Sequence, residues 1–155
     1  MNPSEGTFLL LREMAIAADL ARRSLRRVLP PGLGEAQFEV LSHLVFTANR
    51  NETPSDLARV FEVSRPAMTQ TLARLRASEL VELTPAPADG RQRFVRLTAA
   101  GRARHTEVLA ALEGGAHALG ARFGASELES LPAQVRRFRL EAETILDPSR
   151  EEVAP

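Results

Sequence analysis

The stretch that decides the fold covers residues 53–98 and reads TPSDLARVFEVSRPAMTQTLARLRASELVELTPAPADGRQRFVRLT. It opens with a helix-start signal: Thr53 is a suitable N-cap, Pro54 takes the first helical position, and Asp56 stands where the acid of a capping box belongs. Apolar residues follow at helical spacing. We therefore predict a short helix that begins at Pro54.

A second helix start follows at Ser64, with Pro66 in the first turn, where a missing N–H is tolerated. Met68, Leu72 and Leu75 recur at helical spacing and predict the buried face of this helix. The opposite face is small and polar, and its donors suit a base edge or a phosphate. That face comprises Pro66, Thr69, Gln70, Ala73 and Arg74.

Two runs suited to strands come next, Val81–Thr84 and Arg93–Thr98. The loop between them contains Asp89-Gly90, which favours a turn, and Arg91 stands at the tip of the resulting ribbon. A helix-turn-helix followed by such a ribbon is the layout of a winged helix. In that layout the second helix enters the major groove of DNA and the ribbon tip enters the minor groove.

The residues of this block also resemble a known family. The segments SDLARVF, S-x-x-x-x-T-x-x-L-x-R-L, LVE and D-G-R followed by VRLTAAG are similar to those of the MarR family of bacterial transcription regulators. The resemblance implies a mainly α fold with a small β wing, and a homodimer that binds double-stranded DNA. It also implies that Arg91 reaches the minor groove and is held by Asp89. The chain departs from the family pattern at Glu79, where a glycine usually ends the recognition helix, and at Gln70, where arginine is frequent.

These considerations predict a set of DNA contacts. Gln70 and Thr69 are predicted to contact base edges, because glutamine can pair bidentately with adenine. Phosphates are predicted to bind Ser64, Arg65 and Arg74, which position the protein without specifying sequence. The remaining predicted contacts are Pro66 in the helix and Asp89, Arg91 and Arg93 in the wing.

The charge distribution supports a nucleic-acid partner. The net charge is zero, but the segment 59–104 carries nine arginines against four acids, a local charge of +5. The rest of the chain has a balance of −5. A basic middle between acidic ends suits a DNA-facing surface with an acidic far side.

The flanking segments complete one predicted domain over residues 1–155, with dimerisation helices at 4–33 and 99–147 around a DNA-binding lobe at 34–98. We predict helices from Ser4 to about Leu29, from Gly34 to about Asn49 and from Thr98 to about Phe123, and a last helix capped by Ser126. The terminal helices have more apolar positions than one chain needs, which predicts burial against a second subunit. The stripe left exposed in a lone subunit is predicted to contain Met14, Leu25, Leu131, Phe138 and Ile145.

Three features of the flanks allow two interpretations each. The arginine cluster Arg22–Arg27 is a solvated face or, less simply, a pocket for an aromatic anionic ligand. His43 is structural or, less often, a ligand-binding side chain. Gly114-Gly115 bends its helix or allows close approach of another helix. The sequence does not identify the residues of an effector pocket.

Other function classes fit the sequence less well. An enzyme is not expected, because there is no cysteine nucleophile, glycine-rich phosphate loop or clustered His/Asp/Glu set. We expect no cofactor, no metal site, no membrane span and a cytoplasmic location. The chain is predicted to be a sequence-specific regulator, in particular a repressor released from a palindromic operator by a small molecule. The alternative is a winged helix that serves only protein–protein contact.

Overall fold

The computed structural model describes residues 2–47, 50–85 and 92–146. It confirms the predicted mainly α fold with a small β wing. The elements are α1 (Pro3–Val28), α2 (Glu35–Phe46), α3 (Pro54–Val60), α4 (Arg65–Ala77), β1 (Val81–Pro85), β2 (Arg93–Leu97), α5 (Ala99–Gly120) and α6 (Ala125–Leu146). Two helices end about three residues before their predicted limits: α2 at Phe46 and α5 at Gly120.

The chain divides into two compact units, Met1–Leu112 and Glu113–Pro155, with the boundary inside α5. The first unit holds a hydrophobic core built mainly by α2, α3, α4 and the two strands. Leu41, Leu57 and Leu75 are completely buried in it. Because each of these residues belongs to a different helix, the core fixes the three helices relative to one another.

The strands form one antiparallel hairpin, in which Val81 lies opposite Leu97 and Pro85 opposite Arg93. The loop before α3 is bonded to this hairpin, since the N–H of Val95 donates to the carbonyl of Glu52 over 2.9 Å. The wing strands are thereby tied to the segment that leads into the helix-turn-helix.

Helix α4 ends in a left-handed residue. Glu79 has φ of 58°, a conformation in which a side chain costs free energy and glycine is preferred. The N–H of Leu80 then donates to the carbonyl of Leu75 over 2.9 Å, which closes the helix end. Glu79 therefore adopts the left-handed backbone conformation for which a glycine is usual at this position.

The start of α5 packs tightly on the end of α4. A Cβ placed on Gly101 would lie 2.1 Å from the carbonyl oxygen of Leu80, so only glycine fits there. Thr98 caps α5 as predicted, accepting from the N–H of Gly101 over 3.0 Å, and its hydroxyl donates to the carbonyl of Glu79 over 2.7 Å. Gly114 and Gly115 have nothing within 4 Å of an added Cβ in this chain, so no close approach within one chain explains them.

The start of α6 differs from the prediction. The helix begins at Ala125, so Ser126 lies inside its first turn and is not the N-cap. The carbonyl of Gly124 instead accepts from the N–H of Leu128 over 3.1 Å. Ser126 was an incorrect choice because a glycine, itself acceptable at an N-cap, precedes the helix closely enough to begin it two residues earlier.

The terminal helices expose long apolar side chains in the single chain. On α1, Phe8 is 72% exposed; on α6, Ile145 is also 72% exposed, and Leu131 is exposed as well. The prediction for Leu25 is wrong, because this residue is buried in the core of the first unit. Across the residues that the structure describes, no helix is long and apolar enough to cross a membrane.

Candidate nucleic-acid interface

Helix α3 has a rigid start. Thr53 and Asp56 form the predicted capping box: the N–H of Thr53 donates to the Asp56 carboxylate over 2.9 Å, and the N–H of Asp56 donates to the Thr53 hydroxyl over 3.2 Å. The Thr53 hydroxyl also donates to that carboxylate over 2.7 Å. These bonds stabilise the ionised form and lower the pKa of Asp56. The ionised Asp56 carboxylate therefore holds the start of α3 in place.

Helix α4 presents the predicted face to solvent. Ser64 caps it, since its hydroxyl oxygen accepts from the N–H of Ala67 over 3.3 Å. Met68, Leu72 and Leu75 are buried, as their spacing predicts. The predicted DNA contacts of this helix all lie on the exposed side: Ser64, Arg65, Pro66, Thr69, Gln70 and Arg74.

Small side chains shape this exposed face. Ala67 and Ala73 leave a shallow open depression that Arg65 and Gln70 border. A helix with such a surface can approach base edges closely, because no bulky side chain holds its backbone away from the groove. The Gln70 amide and the Arg65 guanidinium supply donors at its rim. One helix face therefore carries both a group suited to a base edge and a group suited to a phosphate.

The structure narrows the chemistry available to Thr69. Its hydroxyl donates to the carbonyl of Arg65 over 2.8 Å, within the same helix. The hydroxyl hydrogen is therefore used, and the side chain offers a base an acceptor oxygen and a methyl group. The methyl group can contact the thymine methyl of an A·T pair, and the oxygen can accept a hydrogen bond from a base amino group.

Three arginines among the predicted DNA contacts, two on α4 and one on β2, form no ion pair among the described residues. Within the described residues, Arg65, Arg74 and Arg93 pair with no carboxylate, whereas Arg59 lies 3.6 Å from Asp56. Arg93 is exposed at the end of β2 nearest the loop. Unpaired guanidinium groups on an exposed surface are available to phosphates, since no internal bond has to be broken.

The two predicted residues at the wing tip, Asp89 and Arg91, lie outside the described residues. Their place is set by sequence alone: they fall between β1, which ends at Pro85, and β2, which begins at Arg93. The hairpin therefore confirms the ribbon, while the groove contact of Arg91 stays a prediction.

One cationic residue of α4 was missed by the sequence analysis. Arg76 is exposed in the last turn of the helix and borders a second depression, which adjoins the first at Ala73 and extends to Glu79 and Glu82. It lies two residues after Arg74 and just outside the motif spacing. Its signal was a second basic residue in the last turn of the helix, where it also interacts favourably with the dipole.

The arginine cluster of α1 is mostly paired. Arg22 donates to Asp19 over 2.7 Å, Arg23 lies 3.8 Å from the same carboxylate, and Arg26 lies 3.6 Å from Glu35. The hydrogen bond from Arg22 lowers the pKa of Asp19. Most of the positive charge of the cluster is thus paired with carboxylates, which favours the interpretation as a solvated face over a pocket for an anionic ligand.

The histidines have structural surroundings. His43 Nε2 lies 2.9 Å from Glu52 Oε1, and the two side chains are mostly buried. His105 is 4% exposed, stacks on Phe38 at 5.4 Å and has no hydrogen-bond partner for Nε2 in the described residues. Burial lowers the pKa of His105. Among the residues that the structure describes, no group of His, Asp and Glu side chains could hold a metal ion.

Comparison with known proteins leads to the same family that the sequence motifs resemble. Residues 32–92 match the sequence profile of the MarR family. Among solved structures, wild-type MarR from E. coli in its apo form is 28% identical, with a TM-score of 0.65, over 83% of this chain and 95% of that chain. No curated protein matches significantly.

Two further solved structures are similar and hold partners. A mutant of MarR from E. coli complexed with operator DNA is 27% identical, with a TM-score of 0.63, over 88% of this chain and 98% of that chain. The PcaV transcriptional regulator from Streptomyces coelicolor, in complex with its natural ligand, is 22% identical, with a TM-score of 0.61. That likeness covers 86% of this chain and 92% of PcaV.

Proposed function

We propose, from the premise that this chain belongs to the MarR family of winged helix-turn-helix transcription regulators, that it represses transcription by binding a palindromic operator as a homodimer. A small molecule then releases it. The observation that carries the proposal is the exposed face of α4, which combines an unobstructed helix surface with Gln70 and two arginines that form no ion pair among the described residues.

In the proposed mechanism, α4 lies in the major groove. Gln70 pairs with an adenine edge, and Thr69 contacts a neighbouring base through its methyl group or oxygen. Arg65 and Arg74 bind phosphates on either side of the groove, and Ser64 donates its hydroxyl hydrogen to a phosphate at the helix start. This division assigns sequence reading to two residues and positioning to three.

The wing supplies the second contact. Arg91 is proposed to enter the minor groove, oriented by Asp89, and Arg93 to bind a phosphate beside it. Negative potential is greatest where the minor groove is narrow, so this contact favours A·T-rich flanks. The mutant of MarR complexed with operator DNA supports a DNA partner for this fold.

The homodimer is proposed from the apolar faces of α1 and α6. Phe8 and Leu20 on α1, and Leu131 and Ile145 on α6, are exposed in one chain, and water disfavours such faces. A second copy would cover them and place two α4 helices about 34 Å apart, one turn of DNA. Sedimentation equilibrium at micromolar concentration should give twice the chain mass of 16.9 kDa; a clean monomer would contradict this part.

The effector is proposed to be a small molecule that binds a dimer geometry unsuited to DNA. PcaV in complex with its natural ligand supports ligand control in this fold. The aromatic anion suggested by the sequence has less support than expected, because Asp19 and Glu35 pair with most of the arginine cluster. A screen should therefore include phenolic acids and amphipathic cations, with melting temperature and operator release as the two measurements.

Direct DNA reading can be tested with an operator selected from a random duplex pool. Gln70→Ala should cost roughly 1–3 kcal/mol on the selected site and much less on sites already changed at the contacted base pair. Arg91→Ala should weaken binding to every variant and lower the slope of log K against log[salt] by about one. Fluorescence anisotropy at several salt concentrations measures both.

Matched controls come from α6, where Gln134 and Arg137 are exposed. Gln134→Ala and Arg137→Ala should leave the operator affinity and the salt slope unchanged. Selection that enriches no sequence, with equal weak binding by all variants, would favour the alternative of a protein-interaction module. Equal loss on every site for Gln70→Ala would mean that this residue positions the helix without reading bases.

A further inference from the structure

A small cavity lies between the end of α2, the loop before α3, the strand β2 and the start of α5. Three arginines from three of these elements line it: Arg50, Arg96 and Arg102. The apolar side chains Leu44, Val95 and Leu97 form the rest of its wall, together with Thr47. We call this cavity the arginine pocket.

The arginine pocket has an unbalanced charge. No carboxylate lines it, and none of its three arginines has an ion pair within the part of the chain that the structure describes. The Glu52 carboxylate, in the loop before α3, is bonded to other groups: it accepts from the Thr47 hydroxyl over 3.0 Å and lies 2.9 Å from His43 Nε2. Three arginine residues around one small space concentrate positive charge there, and the apolar walls reduce its screening.

The central guanidinium is held in place. Arg96 donates to the carbonyl of Arg50 over 3.5 Å and to the side-chain oxygen of Asn51, and it lies over the ring of Phe94 at 5.7 Å. A guanidinium has five N–H donors, and these bonds use only part of them. The remaining donors are pre-oriented, which is the condition under which arginine binds an oxyanion well.

We propose that the arginine pocket binds one phosphate oxyanion. Its volume is about 60 Å³, roughly that of two water molecules. Typical pockets for drug-sized ligands begin at about 300 Å³, so an aromatic effector is too large. A tetrahedral oxyanion matches both the size of the space and the positive charge of the three arginines that line it.

Binding there would link three parts of the DNA-binding lobe. The segment Arg50–Glu52 leads directly into Thr53, the N-cap of α3, and Glu52 already accepts from Val95 on β2. An anion shared by Arg50, Arg96 and Arg102 would hold this segment, the wing strand and α5 together. The phosphate is either a free ion or a backbone phosphate of bound DNA, and the two sources predict different measurements.

Inorganic phosphate is the first probe. At a phosphate concentration ten times its dissociation constant, we expect melting temperature to rise by about 3–6 °C above that in chloride at equal ionic strength. Arg102→Gln should weaken phosphate binding about tenfold, because it removes a charge-assisted hydrogen bond. The matched control is Arg104→Gln on the same helix, since Arg104 pairs with Glu107 at 3.0 Å and does not line the pocket.

Random-sequence duplex DNA is the second probe, and only this arm rests on the proposed function. If the phosphate belongs to DNA, Arg102→Gln should lower the slope of log K against log[salt] by about one, while Arg104→Gln leaves it unchanged. If the ion is free, both variants keep the wild-type slope, and phosphate stabilises the wild type and Arg104→Gln more than Arg102→Gln.

The outcomes separate cleanly. A phosphate-specific shift that is reduced in Arg102→Gln but kept in Arg104→Gln supports a free ion, and a slope change in Arg102→Gln without a phosphate-specific shift supports a DNA phosphate. Arg102→Gln and Arg104→Gln indistinguishable in both arms would overturn the proposal. Wild-type protein that binds no DNA but shows the phosphate shift would leave the pocket supported and remove the proposed regulator function.

Discussion

Replacing Glu79 by glycine should stabilise the protein, because this residue occupies the left-handed C-terminal position of α4 with φ of 58°. A side chain in that conformation costs about 1–2 kcal/mol. Glycine avoids this cost but loses about 0.5–1 kcal/mol more backbone entropy on folding. The net gain in the free energy of unfolding should therefore be roughly 0.5–1 kcal/mol, or about 1–4 °C in melting temperature for a chain of this size.

The assay is urea denaturation followed by circular dichroism, with Glu82→Gly as the matched control. Glu82 lies three residues further on, exposed in β1 and opposite Arg96, and has no positive φ. Glycine there removes the same side chain but weakens a strand, so stability should fall by about 0.5–1 kcal/mol. The two substitutions thus have opposite predicted signs although they remove the same charge.

A third variant isolates the charge itself. Glu79→Gln keeps the side chain and the left-handed strain, so its stability should stay within about 0.5 kcal/mol of the wild type. If Glu79→Gly is no more stable than the wild type, or if Glu79→Gln accounts for the whole gain, then backbone strain at this position is not the cause and the reasoning fails.

Two further predictions concern α5. Gly101→Ala should destabilise the protein by about 1–3 kcal/mol, because its Cβ would meet the Leu80 carbonyl; Gly114→Ala, with open space around it, should stabilise the helix by up to about 1 kcal/mol in the same urea experiment. Burial lowers the pKa of His105, so the folded state keeps it neutral while the unfolded chain takes up a proton as pH falls through about 6.5. The free energy of unfolding should therefore fall between about pH 7.5 and pH 5.5, and less steeply in His105→Phe than in the wild type.

Short-range signals predicted the starts of α3, α4 and α5. Thr53, Ser64 and Thr98 each cap a helix as expected, because a cap depends on residues two or three positions away and little else. The same rule gave the wrong start for α6, where Gly124 precedes Ser126 and its carbonyl begins the helix first. Local rules fail where two acceptable caps lie close together.

Burial and pairing were less predictable from sequence. Leu25 was expected on an exposed stripe, yet it belongs to the core, since helical spacing gives the apolar face but not its partner. Thr69 was predicted to contact a base edge, and nothing in the sequence indicated that its hydroxyl donates within its own helix. The arginine pocket depends on a contact between Arg50 and Arg96, which are 46 residues apart in the chain, a distance that no local pattern spans.

The joint between α4 and α5 limits how an effector can work. Thr98 donates to the carbonyl of Glu79, its own N–H donates to the carbonyl of Leu80 over 3.2 Å, and Gly101 leaves no free space against the same carbonyl. The end of α4 and the start of α5 therefore move together, because sliding between them would break two hydrogen bonds or create a clash. A ligand that rotated α4 alone would have to pay this cost within the lobe. A ligand that changes the distance between two intact lobes would not, so the proposed release of DNA follows most simply from altered spacing of the two recognition helices in the dimer.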